Sequence, residues 1–141
     1  MSIAKAPWML TIAAGAFLLL IGCGTNSIPR KQQDLLSRER VQNTFASHDV
    51  PLVAIFDSKG DSHVQVRWSL VGNLPGHSGL PVFVDIFRRI KWARDDVRRR
   101  RTNVPNPTRA IRRIKNVVVS FPRKLRQGDE RSIAGAIHDL A

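Results

Sequence analysis

Between positions 88 and 126 the chain carries 15 basic residues against only two acidic ones, Asp95 and Asp96. No other feature restricts the fold so strongly. Cationic groups cannot be left unpaired in a hydrophobic interior, so elements formed here must have a narrow apolar side and a broad charged one. The chain's formal net charge is +12, and most of it resides in the second half. Residues 80–141 hold 16 Lys/Arg against 6 Asp/Glu, whereas residues 23–79 hold 6 against 5. Such an excess points to an anionic partner, and the competing reading is a solvated or disordered charged face.

Periodicity divides the rest into short elements. Residues 31–46 are good helix formers with Leu35, Leu36, Val41 and Phe45 as apolar positions, which predicts a helix. The run 52–57, LVAIFD, is β-prone and ends in the turn residues Ser58-Lys59-Gly60-Asp61. Beyond it Val64, Val66, Trp68 and Leu70 alternate with His63, Gln65, Arg67 and Ser69, predicting a β-hairpin. Residues 72–81, GNLPGHSGLP, read as a loop. From Pro81, the residues Phe83, Ile86, Phe87, Ile90 and Val97 fall on one side of a helical projection, with Arg88 and Trp92 opposite. Asp85–Arg89, Lys91–Asp95, Asp95–Arg99 and Asp96–Arg100 stand at i,i+4 and partly pair the charged side. Residues 102–108 break the pattern. A second basic amphipathic segment sets Ala110, Ile111, Ile114 and Val118 against Arg109, Arg112 and Arg113, passing into a short strand at 117–121. Residues 129–140 predict a closing helix with Ile133, Ile137 and Leu140 inward. The expected class is α+β: a small single domain with one helix, a β-hairpin, then two or three helices, the middle ones strongly basic.

At the front, residues 6–21 contain Thr11 as their only polar side chain, behind Lys5 and ahead of Gly22, Cys23 and Gly24. A charged start, a short apolar run and a small-residue exit describe an export signal. These 16 residues reach only ~24 Å as a helix, short of the ~30 Å hydrocarbon core, which favours a cleaved signal.

The exit, Leu20-Ile21-Gly22-Cys23, resembles the lipobox of bacterial lipoproteins, a resemblance confined to the first 23 residues. It implies cleavage between Gly22 and Cys23, a diacylglycerol group on the Cys23 sulfur and an N-acyl chain such as palmitate on its amino group. A thiolate is the soft nucleophile this transfer needs, and several chains on one residue suffice for stable anchoring. Gly24, in place of Asp, implies an outer-membrane destination facing the periplasm in a two-membrane cell. The residues by themselves also permit an uncleaved anchor, because Arg30 and Lys31 close behind the apolar run resist export. The chain thereby divides into a signal at 1–22, a lipidated tether at 23–30 and a basic α+β domain at 31–141. With its single cysteine acylated, neither a disulfide nor a Cys/His zinc site is available.

Candidates for catalysis are few. Residues 57–63, DSKGDSH, place two carboxylates near an imidazole, yet Lys59 sits among them and hairpin-turn chemistry accounts for the composition without a ligand. His77-Ser78 lacks the Gly-x-Ser-x-Gly elbow, and His48, His63, His77 and His138 show no metal spacing. The expectation is a non-enzymatic envelope protein with no catalytic residue, metal or cofactor beyond the lipid on Cys23. Its binding residues are expected to be Arg88, Arg89, Trp92, Arg98, Arg99, Arg100, Arg101, Arg109, Arg112 and Arg113. Their partner would be the anionic lipid of a membrane or an acidic envelope protein, each Lys/Arg near a headgroup layer contributing about 1 kcal/mol. Trp92 suits a headgroup-level anchor or a stack on Arg88. The alternative is a nucleic-acid-binding accessory of a DNA-transfer or secretion apparatus, with arginines neutralising phosphates; few aromatic residues are present for base stacking.

An inhibitor of the lipoprotein signal peptidase should make the acylated precursor accumulate in the membrane fraction, as read by intact mass. An unacylated full-length chain in the soluble fraction would contradict the lipobox.

Overall fold

The computed structural model describes residues 35–102 and 107–141, without the side chains of 77–80. The signal, Cys23, the tether, the first part of the expected leading helix and positions 103–106 lie outside the described residues. Three helices and five strands follow one another as α1 (Arg38–Ser47), β1 (Leu52–Asp57), β2 (Val66–Leu74), β3 (His77–Phe87), α2 (Ile90–Thr102), β4 (Arg109–Ile114), β5 (Val117–Pro122) and α3 (Gln127–Leu140). The strands form one antiparallel sheet in the order β1-β2-β3-β5-β4. The domain is α+β, as its alternating and helical periods together imply.

Local chemistry explains the element ends. Ser37 caps α1, its hydroxyl accepting from the Arg40 amide at 3.2 Å, and Asp49 turns the chain away with a left-handed φ of 61°. The β1–β2 hairpin forms as its alternation predicts. In its connection, Asp57 and Asp61 accept from the backbone amides of Lys59 and His63 at 2.8 and 2.9 Å, closing the turn with its own side chains. At the other end, Gly72 pairs with Leu52, and a Cβ there would lie 2.7 Å from Leu52 Cδ2.

Two helical expectations are corrected. Residues 72–81 are not a loop and 81–89 not a helix: β2 runs on to Leu74, the chain reverses at Pro75-Gly76, and β3 continues to Phe87. A register shift between Gly72 and Leu74 accommodates Pro81, which cannot donate to the ladder. Val82, Val84 and Ile86 are buried on one face of β3 and Phe87 on the other. A strand with apolar residues on both faces also matches a helical spacing, although Phe83 on the second face stays exposed. The second basic segment is likewise a strand, β4, because the β-branched run Val117-Val118-Val119 pairs with it residue for residue.

The sheet has a helical layer on each face. On the first, α1 and α3 cover Leu52, Leu70, Val84, Ile86 and Val119 with Val41, Phe45, Ile133 and Leu140. On the second, α2 alone packs Ala93 and Val97 against Phe87 and Val118. Packed helices lie about 8–10 Å apart and strands about 4.8 Å apart, so each helix covers roughly two strands. Two helices therefore leave a fifth strand, β4, thinly covered on the first face. Among the described helices, one leaves β1 and its neighbour uncovered on the second, where Val53, Ile55 and Phe56 are exposed, as is Phe83 of β3.

Asn116 ties these parts together. Its Oδ1 accepts from the Leu36 amide at 2.7 Å, and its Nδ2 donates to the carbonyls of Leu36 and Phe87 at 3.2 and 2.9 Å. Its own carbonyl accepts from the Phe87 amide at 2.8 Å. Asn116→Ala would strand buried backbone groups at three places and should lower unfolding free energy by about 2–4 kcal/mol, measured by urea titration. A loss below about 0.5 kcal/mol, the scale of a neutral surface change, would show the node to be dispensable.

Candidate functional site: an arginine cleft between α2 and β4

Helix α2 reads IKWARDDVRRRRT and holds its place with little apolar surface. Ala93 and Val97, one turn apart, face the sheet, with Trp92 half-buried beside them. The remaining hold is electrostatic. Asp96, with a side chain 3% exposed, accepts from Arg99 Nη2 at 2.6 Å on Oδ1. Its Oδ2 lies 2.7 Å from Arg100 Nε in an ion pair whose angle departs from hydrogen-bond geometry. Arg100 also donates to Asp85 Oδ2 at 2.7 Å, and Ser69 donates to Asp85 Oδ1 at 2.6 Å. A chain of charges thus runs from the sheet into the helix. The cations Arg99, Arg100 and Arg101 stand in the last turn, where the helix dipole favours them.

Eight of the ten residues expected to bind an anion fall into two groups, and the other two, Arg89 and Trp92, stack on each other. Arg88, Arg99, Arg100 and Arg109 are engaged within the fold. Arg88 donates to the Val64 carbonyl and the Ser58 hydroxyl at 3.1 and 2.6 Å, closing the β1–β2 connection onto the end of β3. Arg109 donates to the Ser120 hydroxyl and to the carbonyls of Pro81 and Ser120 at 2.7–2.9 Å, and it stacks 5.0 Å above Phe83. Burial pushes its guanidinium below the ordinary value, a shift that leaves so strong a base charged. Trp92 carries a cation on its ring at 4.9 Å, and that cation is Arg89 rather than Arg88. The i,i+4 pair Asp96–Arg100 forms as the spacing suggests, while Asp95 meets Arg98 at 3.6 Å.

Arg98, Arg101, Arg112 and Arg113 remain on the outside, and the fold brings them together. Arg94, Val97, Arg98 and Arg101 make one stripe of α2 at i, i+3, i+4 and i+7. Facing it across a cleft of about 500 Å³ are Arg112 and Arg113 of the edge strand β4. No carboxylate side chain lines this cleft among the described residues. Arg94 is absent from the residues expected from the sequence; its place on the helical stripe with Arg98 and Arg101 is the signal that would have found it. The arrangement can hold an anion by several guanidinium forks at once, each suited to a phosphate or carboxylate.

A second, larger groove of about 1450 Å³ lies on the other side of β4, beneath α3. Arg101 and Arg112 line both spaces and form the ridge between them. The side chains of His77 and Ser78 lie outside the described residues, and the described residues hold no cluster of His, Cys, Asp and Glu suited to a metal. No helix among them is long and apolar enough to cross a membrane. No protein-family model matches the chain, and neither a curated protein nor a solved structure matches it.

Asp96→Asn removes the charge that holds Arg99 and Arg100 and should destabilise the domain by about 2–4 kcal/mol. Hydrogen exchange should show the loss first at the amides of Ala93 and Val97; unchanged protection there would place the anchoring of α2 elsewhere.

Proposed function

We propose that the protein is a non-enzymatic binding component of a bacterial envelope, held there by acyl chains on Cys23 and engaging anionic groups through the α2–β4 cleft. One observation carries the binding part: Arg94, Arg98, Arg101, Arg112 and Arg113 converge on a single concavity, although neighbouring Arg100 and Arg109 are drawn inward by Asp85, Asp96 and Ser120. Like charges are gathered there at a cost in mutual repulsion, which an anion relieves. The lipobox supports the anchoring part, and the anchor would keep the cleft near anionic headgroups. Anionic lipid is the partner favoured; an acidic envelope protein offers the same carboxylate or phosphate chemistry.

The mature chain, residues 23–141 with Cys23→Ser, should bind phosphatidylglycerol vesicles, ignore phosphatidylcholine vesicles, and weaken as salt rises. At about 1 kcal/mol per cation, Arg94→Gln/Arg98→Gln/Arg113→Gln should reduce vesicle affinity by roughly 100-fold. Lys59→Gln, a change of one charge in the β1–β2 connection, serves as the control. Equal binding to both vesicle types would overturn the proposal. Tighter binding to duplex DNA than to anionic vesicles at the same salt would instead favour the nucleic-acid reading.

A further inference from the structure

The groove beneath α3 differs in kind from the arginine cleft. Its floor is apolar: Phe121, Leu125, Ile133 and Ile137 line it, with Ala110 of β4 and the exposed Ala134 of α3 along its length. Its mouth is cationic, set by Arg101, Arg112, Arg123 and Lys124, and Glu130 is the one carboxylate side chain among its described lining residues. The floor exists for the geometric reason given above, since the helical layer of α1 and α3 ends short of β4. Phe121, Leu125 and Ile137 are left only half covered, although each packs on the main core.

A cationic rim around an apolar trough calls for a ligand that is anionic at one end and aliphatic at the other. A free phosphate or a sugar would leave the floor bare, and a neutral hydrocarbon would leave the rim without a counter-charge. The ridge residues fix the orientation. Arg101 and Arg112 line both the groove and the arginine cleft, so a headgroup between them would sit at the boundary while its chain follows the α3 stripe. That stripe, from Glu130 through Ala134 to Ile137, runs for about 10 Å.

We propose that the α3–β4 groove is a binding site for one acyl chain of a phosphate-headed lipid whose headgroup lies between Arg101 and Arg112. The site rests on the anion-binding reading and gives it a ligand class: an amphiphile taken up as a molecule rather than a charged surface touched from outside. Membrane docking would then have two components, salt-sensitive contacts in the cleft and a salt-resistant chain in the groove.

Calorimetry on the mature Cys23→Ser chain would use dodecanoyl lysophosphatidylglycerol below its micelle concentration, beside glycerophosphate and dodecanoyl lysophosphatidylcholine. Saturable one-to-one binding of the first is expected, at least about tenfold tighter than either of the others. Ala134→Trp fills the groove from an exposed helical position and should bring the anionic lysolipid down to the level of glycerophosphate. Arg112→Gln should weaken it while preserving the preference for a chain. Ala134→Glu, equally exposed, is a second groove variant that should act like Ala134→Trp. The proposal is overturned if glycerophosphate binds as tightly as the lysolipid, or if both Ala134 variants bind the lysolipid like the parent. Salt-dependent vesicle binding that survives either of those results leaves the cleft reading intact; its loss as well would remove both.

Discussion

The structure depends on keeping a helix rich in cations against a sheet. Helix α2 offers Ala93 and Val97 to the second face, too little apolar surface to hold thirteen residues that include Arg94 and Arg98–Arg101. Asp96 within the helix and Asp85 on β3 supply the rest through Arg99 and Arg100. The ion pairs do not add stability beyond what well-packed apolar residues would give. They hold Arg100 inward, while Arg99 is paired from an exposed position and the Arg94 stripe faces out. The fold and the proposed binding surface therefore come from one division of the same residue type.

Incomplete layering sets where the open surfaces lie. Among the described residues, three helices cannot cover both faces of five strands, so one end of the sheet is left open by them on each face. At the β4 end, arginines on both sides of the strand border clefts and keep the edge charged, which disfavours strand addition by another chain. At the β1 end, Val53, Ile55 and Phe56 are exposed, and the register shift between Ala54 and Phe56 interrupts a regular edge instead. The two edges are protected by different means, and among the described residues the arginine cleft lies at the β4 end.

Much of this was legible in the residues. The alternation from Val64 to Leu70, the strand at 117–121 and the inward positions Ile133 and Leu140 all appear where the periods put them. What misled was a strand with apolar residues on two sides. Phe83, Ile86 and Phe87 match a helical face as well as they fit β3, and only pairing with β2 and β5 decides between the two. The glycines and prolines of 72–81 suggested a loop, yet Gly72 serves a close approach between strands and Pro81 sits at a register shift. For the site, the charge count located the right half of the chain. It could not separate Arg88, Arg100 and Arg109 from Arg98, Arg112 and Arg113, since that distinction rests on long-range partners such as Ser58, Asp85 and Ser120.

The division of the arginines is open to direct measurement. Limited modification with phenylglyoxal, followed by peptide mass spectrometry, reports the accessibility of each guanidinium in the folded mature chain. Arg94, Arg98, Arg101, Arg112 and Arg113 should react early, Arg88, Arg100 and Arg109 only after denaturant is added, and vesicles of phosphatidylglycerol should shield the early group. Uniform reactivity across the two groups, or shielding that falls on Arg88 and Arg109 while the cleft stays open, would contradict the account.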